Sequence, residues 1–166
     1  VARWAWLIYS AFVVYGSLVP FDFRPLPFEQ AWVAFRQTPF LTLGVESRAD
    51  WIANGVLYFP LAFLGVRAFG GSGAGLFSAL VSLAFACMLA FCVEFTQLSF
   101  PPRTVSQNDL LAECLGSLIG VIAAHGLGPW LARWWQAWKT DSAGLASLAW
   151  QAYALGYLLF CFFPFD

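Results

Sequence analysis

The chain has 166 residues, 61% of them hydrophobic and 10% charged, with a net charge of −1 and a mean hydropathy of +0.72. A soluble domain carries about a quarter charged residues, so this composition excludes a surface built to face water and marks an integral membrane protein. The near-neutral charge argues against a nucleic-acid partner.

Residues 4–19 (WAWLIYSAFVVYGSLV) form the first expected span. It is slightly short of the ~20 residues a crossing needs, and a chain that begins at Val1 is expected to have further residues upstream. No cleavable signal peptide is expected, because the run lacks a basic lead-in and a small-residue cleavage site. The prolines of PFDFRPLPFEQ then stop any helix. From Phe28 onward, Phe28, Ala31, Trp32 and Phe35 recur at helical spacing, with Glu29, Gln30 and Arg36 elsewhere. That pattern predicts a short amphipathic helix in the membrane interface, ended by Pro39.

A second span is expected at 51–69, with Pro60 in its middle as a helix-packing feature that frees a carbonyl. GGSGAG at 70–75 is a turn, and a third span covers 76–100, closed by Pro101 and Pro102. The fourth runs over 108–127, with Asn108 as N-cap and Asp109 near the positive end of the helix dipole. After Gly128 and Pro129, Trp130, Leu131, Trp134, Trp135 and Trp138 share one side of a second interfacial helix. A fifth span fills 145–163. Tyr9 with Pro20-Phe21-Asp22 is echoed by Tyr153 with Pro164-Phe165-Asp166, so the chain is expected to run on past Asp166.

Five spans put the N-terminus, the 70–75 turn and the 128–144 segment on one face, side A. The 20–50 loop, the 101–107 loop and the C-terminus fall on side B. The eight Lys and Arg divide evenly, so the positive-inside rule ties. The acids of the side B loops favour side A as the cytoplasmic face.

The polar residues within these spans gather in one layer. At 1.5 Å per residue, Asn54 and Glu113 lie about 6 Å below their side B helix starts, and Glu94 about 10 Å below Pro101 with Gln97 nearer the surface. Asp109, Glu113, Gly116 and Gly120 share roughly a 60° arc, and G-x-x-x-G admits a close neighbouring helix, so the acids turn inward. Arg103 is the nearest obligate cation, expected to fork onto those carboxylates or onto a ligand phosphate. Ionisable groups at this depth cost about 2.5–3.5 kcal/mol on insertion scales. Two readings follow: a network that pins the hairpin, or a cleft open to side B that binds a head group or partner loop.

Other chemistry finds little support. Cys87, Cys92, Cys114 and Cys161 lie in apolar runs without a C-x-x-C pair and read as interface fillers. His125 is the one histidine and reads as a surface residue, so no zinc, haem or other cofactor is expected. Scattered carboxylates are a weak signal for Mg²⁺ or Ca²⁺, and no nucleophile elbow, H-E-x-x-H or Walker motif occurs.

In order, the chain carries Asn54 with Pro60, Glu94 with Gln97, Pro101-Pro102-Arg103, and Asp109 with Gly116 and Gly120. This pattern, over about residues 50–125, resembles the VanZ-like family of bacterial membrane proteins. Glu113 stands where the family usually has asparagine, and Ser106 where a further aspartate is common. The resemblance implies an inner-membrane protein of the bacterial cell envelope, and the family's name-giving member is associated with low-level glycopeptide (teicoplanin) resistance. No catalytic activity carries over.

The sequence therefore reads as an all-α polytopic transmembrane bundle, one domain over 1–166, with about five spans and two interfacial helices. The expected role is non-enzymatic. A polar cleft of Asn54, Glu94, Gln97, Arg103, Asp109 and Glu113 binds an envelope lipid or glycopeptide-like ligand. The alternative is an accessory subunit docked into a larger membrane complex, and a third reading is an enzyme acting on a lipid-linked substrate.

Overall fold

A computed structural model describes residues 2–40, 45–70, 75–101, 103–128, 130–131, 136, 150–151 and 153–154. Most of the residues expected to form the second interfacial helix and the fifth span lie outside them, although Trp130, Leu131, Gln136, Trp150, Gln151, Tyr153 and Ala154 are helical. One compact unit comprises 1–125 and another 126–166. Five helices are described and, among the described residues, no strand: α1 (Ala2–Leu18), α2 (Phe28–Arg36), α3 (Val45–Gly70), α4 (Leu76–Gln97) and α5 (Gln107–Gly126).

Three of these, over Arg48–Gly70, Leu76–Gln97 and Gln107–Gly126, are long and apolar enough to cross a membrane. Helix α1 has 17 residues. At 1.5 Å each it reaches only about 25 Å, less than a ~30 Å hydrocarbon core. Helix α3 starts six residues before the expected 51, because Val45–Asp50 continues the helix beyond the apolar stretch. Helix α4 stops at Gln97 instead of 100. Phe100 precedes Pro101, and the residue before a proline is pushed out of helical geometry.

Small residues bring the long helices together. On α4, Ala79, Ser82, Ala86, Ala90 and Val93 form one buried stripe, the spacing that lets helices approach closely where lipid offers no hydrophobic drive. Ser82 Oγ donates to Ala62 O across the α3–α4 contact at 2.7 Å. On α5, a Cβ added at Gly116 would meet the backbone of Gly55, 2.8 Å from its Cα, and one at Gly120 would run into the Phe59 carbonyl. The G-x-x-x-G face thus lies against α3, as its spacing predicts. Leu76, Phe77, Leu80, Met88, Ile119 and Ile122 point outward, more than half exposed, a lipid-facing pattern.

Helix α1 runs antiparallel to α3. Arg3 Nε donates to Ala68 O at 3.3 Å and Tyr9 Oη to Leu57 O at 3.0 Å. The tyrosine bond falls one residue after Val56, whose carbonyl loses its intrahelical partner because Pro60, four residues on, has no N–H. Helix α2 lays Phe28, Trp32 and Phe35 on Phe91 and Phe95 of α4, with ring centroids 5.0–6.3 Å apart. Its exit is tied to the start of α5: Gln107 Nε2 donates to Thr38 O at 2.6 Å, and Gln107 N to Pro39 O at 3.3 Å. These ties set the wall of the site.

Candidate functional site

The start of α5 explains how the polar layer is assembled. Ser106, not Asn108, caps the helix: its Oγ accepts from the Asp109 N–H at 3.2 Å, satisfying an amide that the first turn leaves free. The same hydroxyl donates to Asp109 Oδ2 at 2.5 Å. Asn54 Nδ2 of α3 donates to Asp109 Oδ1 at 2.9 Å. Asp109 is therefore partnered on both oxygens. It joins two helices and fixes the register that brings Gly55 against Gly116.

Two further acids lie within electrostatic range of Asp109 and of each other. Glu94 and Glu113 are each 2% exposed, and each leaves one carboxylate oxygen, Oε2, without a hydrogen-bond partner. Tyr58, fully buried one turn after Asn54, adds an unpartnered hydroxyl close to both. An unsatisfied buried polar atom costs about 1–3 kcal/mol, so three together are unusual.

Arg103 does not pair with these acids. Its Nη2 donates to Gly16 O at 2.9 Å, and among the described residues the ion pair within 4.0 Å is Arg24 with Asp22. Gln97 likewise turns away from the acids, its Nε2 donating to Ser17 O at 2.9 Å. The expectation of an arginine–carboxylate fork is corrected by the end of α1. A helix C-terminus presents carbonyls with no intrahelical partner and the negative pole of the dipole, and both draw a guanidinium. The expected cluster of six therefore divides. Asn54, Glu94, Asp109 and Glu113 stay together, while Gln97 and Arg103 cap α1.

A groove of about 520 Å³ opens beside Glu94, between α2, the ends of α4 and α5, and the segments 38–40 and 105–107. This volume lies within the ~300–1,000 Å³ typical of small-molecule sites. Trp32, Phe35, Val105, Leu110 and Leu111 make its walls apolar, and Glu94, Ser106 and Arg36 contribute polar groups. Glu94 sits less than one turn from the end of α4. Among the described residues, no group of three or more His, Cys, Asp or Glu is arranged to hold a metal ion.

Three contributors escaped the sequence reading. Ser106 was visible as S-x-x-D at 106–109, a capping-box-like spacing. Tyr58 lies at i+4 from Asn54 and so shares its face. The groove wall supplied by α2 had no signal, since it depends on where a separate helix docks.

A family model described as VanZ/LLP1 matches residues 3–136, most of the chain and all five described helices. No curated protein and no solved structure matches it.

Proposed function

The chain belongs to the VanZ/LLP1 family, and we propose that it is a non-enzymatic lipid-binding protein of the bacterial cytoplasmic membrane. In this reading α2 lies in the interface and the groove beside it seats an amphiphilic envelope lipid. The apolar tail runs along Trp32, Phe35, Leu110 and Leu111, and the head stays at the level of Glu94 and Ser106. The observation that carries the reading is Glu94, whose buried Oε2 has no hydrogen-bond partner, lining a groove of about 520 Å³ with apolar walls. Apolar enclosure with a few convergent polar groups is the usual form of a small-molecule site.

Native mass spectrometry of protein extracted from bacterial membranes in mild detergent tests the proposal. A retained lipid is expected, and Leu111→Trp, which fills the groove from an exposed position, should release it with the helical content unchanged. Protein that carries no lipid, or a Leu111→Trp variant that carries it undiminished, overturns the reading. Recovery of a stoichiometric partner protein in place of lipid would favour the accessory-subunit alternative.

A further inference from the structure

The acids of the polar layer have no cation beside them: Glu94, Asp109 and Glu113 act on one another electrostatically, and among the described residues no cation lies within 4.0 Å of any of them. The arginine nearest in sequence gives its Nη2 to the end of α1 and keeps a buried, unpartnered Nε. Asp109 is fully hydrogen-bonded, Glu113 does not border the groove, and Glu94 does, with a buried oxygen that accepts from nothing in the chain. What is missing beside Glu94 is a hydrogen-bond donor carrying positive charge, since Arg36, on the wall of the same groove, makes no ion pair with it.

We infer that the groove selects a lipid whose head group carries a primary ammonium, with the ammonium donating to Glu94 Oε2. This rests on the lipid-binding reading above and adds the chemistry of the head. A primary ammonium offers three N–H donors, so it meets both the charge and the missing hydrogen bond. A quaternary ammonium has the charge but no N–H, and a glycerol head has hydroxyl donors but no positive charge. Arg36, on the α2 wall of the same groove, suits the phosphate that joins such a head to its glycerol backbone.

The test compares three lipids with identical tails, added to delipidated protein and followed by native mass spectrometry: phosphatidylethanolamine, phosphatidylcholine and phosphatidylglycerol. Phosphatidylethanolamine should bind about tenfold tighter than either of the others, the ratio that one charge-assisted hydrogen bond supplies. In Glu94→Gln that preference should fall to about twofold or less while tail-driven binding persists, since a neutral amide keeps the shape and loses the charge. The wild-type comparison stands by itself if the variant fails to fold. Equal retention of all three lipids, a preference for phosphatidylglycerol, or a folded Glu94→Gln that keeps the preference would each overturn the inference and leave the groove's lipid binding standing. Retention of none would end both.

Discussion

Two halves of one polar layer differ in a single respect. Around Asp109 every polar atom named above has a partner: Asn54 and Ser106 donate to its two oxygens, and its own N–H is capped. A few residues away, Tyr58, Glu94 and Glu113 each keep a buried atom with none. The first half closes the chain on itself, and removing any member leaves another stranded. The second half is where the fold leaves hydrogen-bonding capacity unused. Burial alone does not separate a structural polar group from a binding one; the balance of donors and acceptors does.

The largest effect should come from the backbone contact that the closed half aligns. Gly116→Ala places a methyl against the Gly55 backbone, where neither side can yield by rotating a side chain. Overpacking of this kind costs about 3 kcal/mol or more, and the purified variant should melt far below the wild type or fail to accumulate. Next, Asp109→Ala orphans the Asn54 amide and the Ser106 hydroxyl together. A loss of about 2–3 kcal/mol is expected in detergent unfolding. A wild-type melt from Asp109→Ala would erase the distinction between the halves.

Arg103→Met should have an intermediate effect, about 1–2 kcal/mol, as the Gly16 carbonyl loses a charged donor at a helix end. A readout confined to α1, such as faster hydrogen exchange in its last turn, would sharpen the assignment of Arg103 as a cap. Smallest of all is Tyr58→Phe. It deletes an unpartnered hydroxyl while keeping the ring in the core, so stability should stay within about 0.5 kcal/mol or rise. A large loss there would reveal a bond that the open half is argued to lack.

Much of this arrangement was legible in the sequence. Composition alone announced apolar helices, and the ends of α4 and α5 fall within three residues of their expected positions. The inward turn of Glu113 followed from its spacing to Gly116 and Gly120, because helical periodicity ties neighbouring faces together. Helix α3 begins early because charged residues at 46–50 carry it past the apolar window that locates a span. Arg103 was misread for a different reason. The acids were near it in sequence, and the competing acceptors, at Gly16, were 87 residues away. Local pattern could not weigh a partner that only tertiary structure delivers. The same holds for the α2 wall, whose aromatic face was foreseen but whose seat on Phe91 and Phe95 was not.

The fastening of α1 has a consequence for how the protein is made. Its terminal carbonyls at Gly16 and Ser17 wait for side chains that follow 87 and 80 residues later. Arg3 and Tyr9 can hold the body of α1 once α3 has emerged, but its last turn is secured only after the α4–α5 turn follows, a long loop to close before the reward arrives. Until then the end of α1 has to satisfy those oxygens with water, which keeps it at the bilayer's wet margin while the rest of the chain inserts.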